Sequence, residues 1–72
     1  MDKNLAKLLA RLVNDPDMYP LLLSYTSSRI TLLLSQLETE LDVNRVKSIQ
    51  GAIAEMRRFT TLKEEVYRSV EG

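Results

Sequence analysis

Seventy-two residues with 44% hydrophobic and 28% charged side chains, two glycines and two prolines have the composition of a folded chain, not a disordered or fibrous one. The formal net charge is zero, and there is neither cysteine nor histidine. Those absences exclude disulfide staples and thiolate metal sites, and they remove the commonest metal ligand and the usual general base near neutral pH.

A chain of this length buries only about 60% of the surface it exposes when unfolded. With disulfides and thiolate metals excluded, association is the remaining aid to stability. Charge is unevenly spread: residues 1–14 carry a net +2, residues 15–42 a net −4 and residues 43–72 a net +2. An acidic middle between basic flanks suits intramolecular pairing in an antiparallel packing. No run approaches the ~20 consecutive apolar residues of a membrane span. The start of the chain, with Asp2 and a short apolar stripe, lacks the basic region and small-residue cleavage site of a signal peptide, so an intracellular protein with no membrane partner is expected.

Leu5, Leu8, Leu9, Leu12 and Val13 recur at helical spacing and predict a first helix over 3–14, with Asp2 as N-cap. Lys3, Lys7 and Arg11 fall at four-residue steps on the other face. So short a helix is marginal alone and must dock its leucines. Asn14, Asp15 and Pro16 end it, because proline disfavours the helical conformation in the residue before it. Asp17 is placed to cap the next helix, with Pro20 in its first turn.

The second helix, over 18–40, carries a heptad seam at Leu23, Ser27, Ile30, Leu34, Leu37 and Leu41. Leu21, Leu22 and Leu32 lie off that seam, so this helix is expected to be covered on more than one side. After Leu41 the apolar face moves to Val46, Ile49, Ala52, Ile53, Met56 and Phe59. Either the chain turns at residues 40–44 with Asp42 as N-cap, giving a hairpin, or one long helix carries a stutter. The hairpin is favoured because it buries more surface within one chain. Gly51 inside the third helix, over 43–59, reads as a point of close helix approach. Thr61 and Glu64 form a predicted capping box for a last helix over 62–70, with Leu62, Val66 and Val70 on one face.

Chemistry is sparse in this pattern. Two glycines cannot build a phosphate loop, and the serines of the second helix have no histidine to activate them. Glu38 and Asp42 share a helix face but fall short of the six to eight oxygens of a hard-cation site. No catalytic, cofactor or metal residue is assigned. Arg45, Lys47, Arg57 and Arg58 are the basic candidates for nucleic acid, although a pI near 6.2 argues against that partner. Arg57 is also expected to pair with Glu64 or Glu65. Tyr19 and Phe59 are candidate contact anchors, since aromatics are enriched at interfaces.

The run from Gln50 to Phe59, followed by Leu62 and Glu64-Glu65-Val66, resembles a "G-x-I-x-E-[LM]-R-x-[LF]…L-x-E-E-V" tail found in small helical proteins of tailed bacteriophages. The resemblance covers residues 50–66, implies a virion or assembly component, and assigns no functional residue.

The expected molecule is one all-α domain over 1–72. It is a small helical bundle built on a central antiparallel hairpin, with a short helix at each end of the chain, and it is oligomeric. Its expected role is non-enzymatic protein binding: a structural, scaffolding or adapter subunit that self-associates, in a host cytoplasm or a virion. Leu23, Ile30, Leu34, Leu37, Leu41, Met56, Phe59 and Tyr19 are the interface candidates. The alternative is a small regulator that binds nucleic acid or inhibits a host protein.

Overall fold

The computed structural model describes residues 1–71. Helices α1 (Lys3–Val13), α2 (Met18–Thr39), α3 (Val43–Arg58) and α4 (Leu62–Glu71) follow in order, with a 3-10 turn at Phe59–Thr61 joining the last two. The expected boundaries hold to within one residue, but two of the expected caps do not.

Asp2 accepts from the Leu5 amide at 3.1 Å, and Asp42 accepts from the Asn44 and Arg45 amides at 2.8 and 3.4 Å. Both satisfy helix-start donors that would otherwise be unpaired. At α2, however, the cap is Asp15 rather than Asp17. Oδ1 of Asp15 accepts from the Asp17 and Met18 amides, each at 2.8 Å. Those two bonds hold the Asp15 carboxyl below its ordinary pKa, because they favour the charged form. The capping box at Thr61 and Glu64 does not form either. Thr61 lies inside the 3-10 turn and donates to the Arg58 carbonyl at 3.2 Å. The chain runs helically through this junction, so no free helix start is left for Thr61 to cap.

Between α2 and α3 the chain is a hairpin. Glu40 and Asp42 take extended conformations, with ψ near 128° and 119°, and break the helix for three residues. Leu33, Ile49 and Ile53 are buried between the two helices, flanked by Ile30, Leu37, Ala52 and Met56. A second cluster forms where α1 and α4 pack together beside the start of α2. It contains Ala6, Val13, Tyr19 and Val66, with Leu9, Leu22, Leu62 and Val70 against it. Val66 is wholly buried, as the spacing of Leu62, Val66 and Val70 leads one to expect.

Three packing expectations change. In α1 the docked face is Ala6, Leu9, Ala10 and Val13, while Leu5 and Leu8 stay exposed. The two alanines let α1 approach its neighbours closely, and that choice turns the flanking leucines outward. In α2 the inward positions are Tyr19, Leu22, Thr26, Ile30, Leu33 and Leu37; Ser27 and Leu34 are exposed. Leu41 lies beyond the end of α2 and is 95% exposed, because the helix breaks before the seam reaches it. Gly51 lies exposed on α3, and a Cβ there would meet nothing within 4 Å, so it marks no close approach.

Thr26 is the one buried polar side chain among the described residues, and its hydroxyl donates to the Leu22 carbonyl at 2.9 Å. Along α2 it stands between the residues of the two clusters. Each cluster is small, and the molecule is drawn out rather than round: Cα extents are 44 × 25 × 13 Å and the radius of gyration is 14.9 Å. A compact chain of this length has a radius of about 11 Å.

Candidate functional site

The elongated packing leaves apolar surface uncovered, more of it on α2 than on any other helix. Met18, Leu21, Tyr25 and Leu32 are exposed, Leu21 by 65% and Tyr25 by 61%. With Ser28 they step three, four, three and four residues along the helix, which puts all five on one stripe. The inward positions Leu22, Thr26 and Leu33 each follow a stripe residue by one, a rotation of about 100°. Thus α2 carries two apolar seams, one closed by α1, α3 and α4 and one open. In the sequence Leu21 and Leu32 fall off the heptad seam of Leu23, Ile30, Leu34 and Leu37. Their own 3-4 repeat was the signal that could have identified the open stripe.

Two smaller apolar surfaces accompany it. On α1, Leu8 is 63% exposed, with Met1 and Leu5 near half. The cations of that helix, Lys3, Lys7 and Arg11, are exposed and form no ion pair among the described residues. At the hairpin tip Leu41 and Val43 project to solvent beside Glu38 and Asp42. The expected pairing of the acidic middle with the basic flanks is therefore slight. Among the described residues only Glu40 joins the two, through a 3.2 Å contact with Arg45 that is largely solvent-exposed on the arginine side.

Two shallow grooves also mark the surface. One, of about 240 Å³, is floored by Met1, Met56, Phe59 and Leu62, with Glu55, Arg58 and Glu65 around it. The other, of about 210 Å³, runs between α2 and α3 past Leu34, Leu37, Ile53 and Arg57. Both are smaller than the ~300–1,000 Å³ of typical small-molecule sites.

The residues singled out in sequence distribute as follows. Tyr19 is buried, not a surface anchor, and its hydroxyl donates to the Phe59 carbonyl at 3.0 Å. Leu23, Ile30, Leu37 and Met56 are half-buried supports of the two cores. Leu34, Leu41 and Phe59 are exposed, but they lie on different surfaces and form no common patch with the α2 stripe. Among the basic candidates, Arg45 is held by Glu40, and Arg58 lies 3.7 Å from Glu55 and 3.5 Å from Glu65. The pairing of Glu65 is thus with Arg58 and not Arg57. Lys47 and Arg57 remain without a carboxylate partner among the described residues. No protein-family model, curated protein or solved structure matches this chain.

Proposed function

We propose that the protein is a non-enzymatic helical protein-binding element, a structural, scaffolding or adapter subunit that self-associates. The single observation that carries this reading is the open stripe Met18, Leu21, Tyr25 and Leu32 on the longest helix. Contiguous exposed apolar residues at coiled-coil spacing are the pattern of a helix that meets another helix. The resemblance at residues 50–66 suggests the setting, a bacteriophage particle or its assembly. The carboxylates around Arg45 and Arg58 reduce the positive field available to nucleic acid and weigh against the regulator alternative.

The test is molar mass by light scattering across a concentration series, with helicity followed in parallel. A defined oligomer that dissociates on dilution supports the proposal. A helical monomer at every concentration overturns self-association and redirects the search to a foreign partner.

A further inference from the structure

We infer that the occupant of the α2 stripe is a second copy of this chain, lying antiparallel and related by a twofold axis near the middle of α2. This rests on the self-association proposed above and adds the surface, the partner and its direction.

The exposed area is what a dimer of this chain would need to cover. The chain exposes 5453 Å². A compact monomer of its mass exposes about 4,600 Å², so the surplus is about 900 Å², close to the ~800 Å² that each partner contributes to a standard stable interface. A self-complementary patch used once by each copy closes the assembly at two, because a twofold contact leaves no free end.

Side-chain sizes along the stripe favour one direction. In an antiparallel pair with its axis between Thr26 and Ser27, two of the three facing layers set a large residue against a small one. Leu21 meets Leu32 of the second copy, and Tyr25 meets the second copy's Ser28. Further along, Met18 meets the second copy's Ser35. The serines, both exposed, leave room for the larger side chains, so the facing layers interdigitate. A parallel pair would instead stack Ser28 on Ser28 and Tyr25 on Tyr25, and it would bring two acidic hairpin tips with Glu38 and Asp42 together. In that register Asp15 and Asp17 lie nearest the second copy's Glu38, an approach of like charges that salt screens. Added salt should therefore tighten the pair.

The chain has no cysteine, so single-cysteine variants report direction without background. Leu21→Cys and Leu32→Cys replace exposed side chains and leave both buried clusters intact. Mixed and mildly oxidised, they are expected to form the mixed disulfide between positions 21 and 32 in preference to either homodisulfide. Tyr25→Glu, also at an exposed position, is expected to weaken dimerisation by about 30-fold or more while helicity of the monomer persists. Preferential Leu21→Cys homodisulfides would overturn the antiparallel direction while self-association stood. An oligomer indifferent to Tyr25→Glu would overturn the choice of surface and again leave self-association standing. A parent chain that is monomeric at every concentration would overturn both this inference and the reading beneath it.

Discussion

The hydroxyl of Tyr19 sits in a rung of the helix it packs against: it donates to the Phe59 carbonyl at 3.0 Å and accepts from the Lys63 amide at 3.4 Å. Phe59 and Lys63 are four residues apart, the pair that a continuous α-helix joins directly. A side chain inserted in this ladder is a recognised cause of local helix distortion. Here α3 tightens into a 3-10 turn at that point, and the Leu62 amide turns to the Phe59 carbonyl. One buried phenol thereby ties the start of α2 to the α3–α4 junction. Tyr19→Phe should cost about 1 kcal/mol, the net worth of such hydrogen bonds, since the freed carbonyl and amide can close on each other. Tyr19→Ala should cost about 3–5 kcal/mol through the cavity it leaves. Urea denaturation of both variants checks the difference; equal losses would mean that the hydroxyl, not the ring, carries the position.

Gly51→Ala should stabilise the protein. Helix interiors favour alanine over glycine by about 1 kcal/mol, and the added Cβ meets no atom within 4 Å. For a domain of this size the gain corresponds to a rise in Tm of roughly 4–8 °C. Thermal unfolding followed by circular dichroism decides it. A fall in Tm would show that the small side chain is needed by a neighbour outside this chain.

The phase of α2 is open to a direct comparison of adjacent leucines. Leu33 is 7% exposed within the hairpin core, whereas Leu34 is 40% exposed at the edge of a groove. Leu33→Ala should cost about 2–5 kcal/mol, and Leu34→Ala should cost under about 1 kcal/mol as a partly exposed change. The reverse order in denaturant midpoints would restore the seam through Leu34 and Leu41.

Thr26 is buried, yet its hydroxyl bonds only to the carbonyl one turn back in its own helix. Such back-bonding adds little stability. Thr26→Val should therefore be within about 1 kcal/mol of the parent and tend toward stabilisation. Thr26→Ser should destabilise by roughly 1 kcal/mol, the worth of a buried methyl group. Their order in thermal melts is the measurement.

Asp15 supplies a pH signature. Its folded-state pKa is lowered by the Met18 and then the Asp17 amide. A depressed carboxylate contributes stability above its unfolded pKa of about 3.9 and loses it as pH falls through the lower folded value. Asp15→Asn should lower Tm at pH 7 and flatten the decline of Tm between about pH 5 and 2. An unchanged acid profile would remove Asp15 from the cap.

Much of the fold was legible because it follows from local chemistry. Helix extents come from apolar periodicity, and Asp2, Pro16 and Asp42 mark ends through bonds or steric conflicts spanning only a few residues. The face of α4 at Leu62, Val66 and Val70 was equally plain, having no competing stripe. The site was less legible. In α2, Leu22, Leu33 and Ile30 compete with Leu21, Leu32 and Leu34 for the inside, and periodicity alone ranks neither set. Thr26, which no hydrophobicity scale would place inside, is buried while Leu21 and Tyr25 are not.

The order and length of the helices, the want of histidine and cysteine chemistry, and a surplus of apolar surface were determined by the amino-acid sequence itself, since each depends on residue type and short-range spacing. Which seam of α2 closes and which stays open was decided only in the tertiary structure. Tyr19 must turn inward to bridge Phe59 and Lys63, contacts 40 or more residues away, and a helix rotates as a unit. Setting one buried phenol sets the phase of all 22 residues of α2 and leaves Leu21, Tyr25 and Leu32 facing out.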